Sequence, residues 1–175
     1  MTMNNFFENL RVNNLRKKST LEYDLSKILL RNALKISVAE SCTGGLISSR
    51  LTDVAGSSAY IRANFVTYSN ESKHKILNVS EETLEKFGAV SEECAFEMAK
   101  GLMELTKSEV VLCTTGVAGP SASENKPVGL IYIACGYKDS IMVKNFNLNP
   151  KLSRKNMKFM FSETALQMVL DVLNF

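Results

Sequence analysis

Three apolar runs in this chain end in small, polar or charged residues that could do chemistry. They are "AESCTGG" at 39–45, "TYSNESK" at 67–73 and "TTGVAGP" at 114–120. A serine hydroxyl is a weak nucleophile until a base takes its proton. A lysine desolvated by burial, or a tyrosine beside a lysine, can be that base. Tyr68 and Lys73 are therefore candidate bases for Ser41, although Lys73 taken alone reads more readily as a solvated surface charge. Gly44 and Gly45 can adopt backbone angles that aim N–H groups at one point, and a helix expected to follow adds its positive end. That makes Thr43, Gly44 and Gly45 candidate donors to an oxyanion or a substrate. The bland alternative is that Ser41 and Thr43 only cap the helix.

Other residues in these loops carry weaker signals. Neighbours on an extended segment point to opposite sides, so Cys42 reads as a small buried residue rather than a second nucleophile beside Ser41. His74, the only histidine, lies about 100° round a helix from Lys73, and only one of the two can face inward. An exposed His74 is expected. In the third loop, Thr115, Gly116 and Gly119 resemble a surface for phosphate or ribose, although a tight turn explains them equally well. No Gly-Lys-Ser/Thr follows, so the loop is not a P-loop. The stretch "SASENKP" after it reads as a mobile rim with Lys126 exposed.

The three loops can cooperate only if strands and helices bring them to one edge. "KISVAE", "AYIRANFVTYS" and "EVVLCTTG" have the apolar, β-branched content of strands. "PVGLIYIACGYKDSIMVKNFNL" reads as two strands joined near Lys138-Asp139. "STLE" reads as a capping box, Ser19 with Glu22, opening a helix with Leu21, Leu25, Ile28 and Leu29 on one face. Further helices are expected from "GLISSRLTD", from "SEETLEKFG" with Gly88 closing it, from Ser91 onward with Ala95, Met98, Ala99 and Leu102 inward, and from about Leu152 to Leu173. The last is apolar on both sides near its end, as for a helix that is deeply buried or meets a partner. Residues 1–18 read as a polar, irregular arm. Alternation of strands and helices followed by a hairpin predicts an α/β domain with a mixed sheet. Ligands of such sheets bind at the carboxyl ends of the strands, where the three loops would meet if their strands run parallel.

The bulk composition bounds the rest. The chain has 175 residues, 45% of them hydrophobic, and a net charge of +3. That favours one domain with a sizeable core, and the charge is too mild for a nucleic-acid surface. Four cysteines without a CxxC pair, no signal-peptide pattern and no long apolar run read as a cytosolic chain with reduced thiols and no membrane span. A single histidine excludes a multi-histidine metal site.

Taken in order, "AESCTGG", "LTDVAGSSAY", "VTYSNESK", "GAVSEE", "TGVAGP" and "KPVG" resemble the CinA C-terminal domain family, whose stand-alone members include nicotinamide-nucleotide amidases. The resemblance covers about Leu25 to Leu173. It implies a three-layer α/β/α sandwich, often dimeric, so a homodimer is expected, with residues 19–175 as the amidase domain and 1–18 as an extension. It implies hydrolysis of the carboxamide of nicotinamide mononucleotide to nicotinic acid mononucleotide and ammonia, with no metal or other cofactor. Ser41 matches the family's presumed nucleophile. Tyr68 and Lys73 match its tyrosine and lysine, with Lys73 acting through Tyr68 or directly. Thr115 matches the hydroxyl residue of the third loop, and Arg154 an arginine before the last helix that would meet the substrate phosphate. The chain departs from the family pattern at "LSR" (152–154), at Lys158 in place of a second arginine, at Asn64 in place of a glycine, and at "SASEN" in place of a glycine-rich stretch. A lysine cannot make the bidentate grip of an arginine, so these departures bear on substrate binding. The family's pyrophosphatase-linked domain is not expected in this chain.

Overall fold

Five strands form one mixed sheet in a computed structural model that describes residues 3–174. The strands are β1 (Ile36–Glu40), β2 (Ile61–Val66), β3 (Val110–Gly116), β4 (Leu130–Tyr137) and β5 (Ser140–Asn147), in the order β2-β1-β3-β4-β5. β1 runs parallel to both β2 and β3. β4 and β5 are antiparallel additions joined by the tight turn expected at Lys138.

The helices are α1 (Met3–Lys18), α2 (Leu21–Arg31), α3 (Leu46–Thr52), α4 (Asn70–Leu77), α5 (Glu81–Lys86), α6 (Glu92–Thr106) and α7 (Arg154–Leu173). Side chains alternate across a strand, and β3 shows what that does in the middle of the sheet. Val110 and Leu112 join a core with Leu25, Leu29, Ile47, Leu51, Phe161 and Ala165 from α2, α3 and α7. Val111 and Cys113 join the opposite core with Leu77, Ala95, Met98, Ala99 and Leu102 from α4 and α6. Helices thus cover both faces of the sheet, in the three layers expected. Along α7 Leu166 and Leu170 are enclosed with Phe161, Ala165 and Val169, while Val172 and Leu173 at its end are only partly buried. Among the described residues no helix is long and apolar enough to cross a membrane.

Local chemistry sets most helix starts. Ser80 and Ser91 cap α5 and α6 by accepting the N–H groups of Thr83 and Cys94, each followed by two glutamates that suit the positive end. Two expectations fail. Residues 3–18 are helical rather than irregular. The capping box at "STLE" does not form: Thr20 is the cap residue and makes no side-chain cap bond. Ser19 and Glu22 serve a buried cation instead. Arg50 on α3 pairs with Glu22 at 2.6 Å and with Glu163 of α7 at 2.5 Å. It also donates to Ser162 at 2.8 Å and Ser19 at 3.0 Å. This network ties α2, α3 and α7 together. Removing one partner of a buried set of this kind typically costs about 3–5 kcal/mol, because the remaining charge stays desolvated.

Candidate active site

Because β1, β2 and β3 are parallel, the three loops leave the sheet at the same edge. Ser41, Tyr68, Lys73, Thr115, Gly116, Gly119 and Arg154 line one cavity of about 270 Å³. That is just under the usual range of ligand pockets, roughly 300–1,000 Å³.

Its central contact is between Ser41 and Lys73. Lys73 projects from the first turn of α4, which Ser69 and Ser72 fix through a reciprocal capping box. Lys73 is only 1% exposed and Ser41 only 8%. Lys73 Nζ donates to Ser41 Oγ at 3.0 Å and to the Thr67 carbonyl at 2.9 Å. No carboxylate forms an ion pair with it among the described residues. Burial disfavours the charged form and pulls the lysine pKa down from its ordinary value of 10.5. Two thiols, Cys42 and Cys94, lie near enough to interact with it. Burial pushes each of them up to about 12, so at neutral pH they are uncharged thiols and do not hold the proton on Lys73; the Glu124 carboxylate acts to keep it there, and burial outweighs that pull.

Cys42 also lines the cavity, contrary to the expectation that it would point away from Ser41. β1 stops at Glu40, and Ser41–Gly45 is a turn, so strand alternation does not apply there. His74 behaves as expected: it faces away from the cavity, half exposed, with Nδ1 2.8 Å from the Val79 carbonyl.

Tyr68 is 60% exposed. Its hydroxyl accepts a bond from Arg154 Nη2 at 3.0 Å, and Arg154 Nη1 donates to the Gly119 carbonyl. Among the described residues Tyr68 makes no hydrogen bond to Ser41 or Lys73. Arg154, the first residue of α7, therefore joins the second and third loops. Thr115 is buried and donates to the Ala89 carbonyl at 2.6 Å.

Thr43, Gly44 and Gly45 do not line the cavity. Thr43 is enclosed and bonds the Thr114 hydroxyl at 3.0 Å. Gly44 and Gly45 do take left-handed angles, φ 58° and 87°. The positive end of α3 is already occupied, since the Glu40 carboxylate accepts from the N–H groups of Ile47 and Ser48 and from the Ser48 hydroxyl. A carboxylate there satisfies the orphan donors that an anionic ligand would need. Lys158 likewise lies outside the cavity. It lines a separate hollow with Arg16, Leu46 and Phe159, beside Gly44.

Sequence reasoning missed Glu124, Ala89 and Val90. Ser123 and Lys126 pair across a two-residue turn in which Glu124 and Asn125 are left-handed, φ 52° and 58°. The turn brings the Glu124 carboxylate back to accept the Val90 N–H at 3.1 Å, at the cavity wall. Lys126 does not line it. The only advance signal was the "EN" pair, since asparagine tolerates positive φ. Several residues that line the cavity, Cys42, Ala118 and Gly119 among them, have backbone N–H groups that find no acceptor among the described residues.

Comparison with known proteins converges on one family. The model of the CinA C-terminal domain matches residues 18–173. A putative competence-damage inducible protein of Caldicellulosiruptor saccharolyticus is 46% identical over 155 residues, covering 88% of this chain and 36% of the relative. A CinA-like protein of Chloroherpeton thalassium is 47% identical over 157 residues, covering 88% and 37%. The chain thus spans little more than a third of the length of these curated relatives. Among solved structures, the competence/damage inducible protein CihA of Agrobacterium tumefaciens is 38% identical with a TM-score of 0.83, covering 89% of this chain and 94% of that one. The competence damage-inducible protein A of Klebsiella pneumoniae is 28% identical with a TM-score of 0.85, covering 88% and 95%.

Proposed function

The chain belongs to the CinA C-terminal domain family, and on that premise we propose that it is a serine amidohydrolase that deamidates nicotinamide mononucleotide. The observation that carries the reading is the buried 3.0 Å contact between Lys73 Nζ and Ser41 Oγ in a cavity also lined by Arg154. With its pKa pulled down by burial, Lys73 is the base, and the neutral amine accepts the Ser41 proton directly. Ser41 Oγ then bonds to the carboxamide carbon, and the carbonyl electrons move onto oxygen. Backbone N–H groups at the wall, with Ala118 and Gly119 as candidates, hold that oxyanion. One such donor is typically worth on the order of 3 kcal/mol of barrier.

Collapse of the intermediate breaks the C–N bond, and the Lys73 ammonium gives its proton to the departing nitrogen, releasing ammonia. Water, deprotonated by the same amine, then cleaves the ester and returns the proton to Ser41. Arg154 binds the substrate phosphate, and Tyr68 holds Arg154 in place. Thr115 anchors the 88–91 segment that forms one wall. Thr43 and the two glycines shape the Ser41 turn from outside the cavity.

The test is ammonia release from nicotinamide mononucleotide and from a small panel of other carboxamides. Release from the mononucleotide supports the reading. Release only from another amide moves the substrate, and binding without turnover makes the domain a nucleotide-binding module on the same fold.

A further inference from the structure

Helix α1 lies before the residues that the family model matches, 18–173. Its contacts fall on both sides of Arg154. The Ser153 N–H donates to Asn9 Oδ1 at 2.9 Å. The Asn156 side-chain amide donates to Asn9 Oδ1 at 2.8 Å and to the Asn9 carbonyl at 3.1 Å. Arg16 Nη2 donates to the Lys155 carbonyl at 3.1 Å and to Asn156 Oδ1 at 3.2 Å, with its guanidinium 4.7 Å above the Phe159 ring. Asn9 and Asn156 are 8% and 3% exposed, and Val12 of α1 is also buried. Ser153, Lys155 and Asn156 are all bonded to α1, while Arg154 alone turns to the cavity, to Gly119 and Tyr68.

We infer that α1 is a clamp on the first turn of α7 and that Asn9 is a positioning residue for Arg154. A first helical turn lacks intrahelical acceptors for its N–H groups and frays unless they are satisfied from outside. Asn9 supplies an acceptor to the residue just before Arg154 and locks the amide two residues after it. A side chain fixed before the ligand arrives loses less entropy on binding, so the clamp acts on affinity and not on bond breaking. This rests on the reading of Arg154 as the phosphate-binding group.

Two measurements on Asn9→Leu test it. The first is amide hydrogen exchange of the segment 153–157, with β3 as the internal control for an intact fold. Exchange there rises at least tenfold while β3 is unchanged, whatever the substrate turns out to be. Wild-type exchange in that segment overturns the clamp. The second compares nicotinamide mononucleotide with its unphosphorylated nucleoside. Asn9→Leu raises KM for the mononucleotide about tenfold, leaves its kcat and the nucleoside's kcat/KM unchanged, and has no further effect in an Arg154→Ala background. An equal loss on both substrates, or one that persists without Arg154, overturns the positioning role. If the wild type treats mononucleotide and nucleoside alike, the phosphate reading of Arg154 falls, and the exchange result still decides the clamp.

Discussion

Gly101 couples the core to the proposed base. It lies on α6 where that helix crosses the end of α4, and a Cβ built there would stand 1.7 Å from the Leu77 carbonyl oxygen. Leu77 is one turn beyond Lys73 on α4. In Gly101→Ala the two atoms must separate from 1.7 Å to at least 3.0 Å, so α4 moves off α6 by about 1.3 Å if α6 holds its place against the sheet. Overpacking of this sort costs about 1–3 kcal/mol, which a domain of ordinary stability, about 5–15 kcal/mol, survives. The Lys73–Ser41 bond is 3.0 Å long, and a shift of that size breaks it. Misplacement by about 1 Å can cost on the order of 100-fold in rate. Urea unfolding measures the first effect. Ammonia release at a urea-free concentration where the variant is fully folded measures the second. A folded Gly101→Ala protein with wild-type kcat refutes the idea that α4 must hold Lys73 in register with Ser41.

The remaining predictions follow from the same contacts. The kcat/KM profile rises with pH on a limb set by Lys73, with a midpoint below the ordinary lysine value of 10.5 because burial favours the neutral amine; Lys73→Met removes the limb along with 10²–10⁴-fold of activity, on the order expected of a general base. In the same pH window the unfolded chain binds the Lys73 proton more readily than the folded one, so wild-type stability rises as pH climbs towards 10.5. Urea midpoints at two pH values in that window check the slope, which Lys73→Met flattens. Tyr68→Phe loses the Arg154 bond but leaves the Ser41–Lys73 contact intact, so KM for the mononucleotide rises a few-fold, roughly the worth of one hydrogen bond, while kcat is unchanged. A collapse of kcat instead makes Tyr68 the proton carrier.

What the sequence revealed follows the range of the forces involved. The strands β1 and β3, the starts of α5 and α6 and the inward face of α6 were legible because each is set within a few residues. The convergence of Ser41, Lys73 and Thr115 was legible because small and polar residues ended three strands that fit one parallel arrangement. Contacts made across the chain were not. Ser19 and Glu22 look like a capping box until Arg50 and Glu163 are brought to them. α1 looks like a loose arm because its anchor is an amide pair with Asn156, 147 residues away. The glycines at 44 and 45 promised a donor site, but the Glu40 side chain folds over the start of α3. Glu124 entered the site through two left-handed residues whose types do not demand that conformation.

The most direct test of the account is Ser41→Ala, assayed for both binding and ammonia release with nicotinamide mononucleotide. The substitution removes one buried oxygen and leaves Lys73 and Arg154 in place, so calorimetry returns a dissociation constant within a few-fold of the wild type. Ammonia release falls by three orders of magnitude or more, the scale on which an activated nucleophile acts. Release at the wild-type rate from Ser41→Ala contradicts the claim that this hydroxyl attacks the amide.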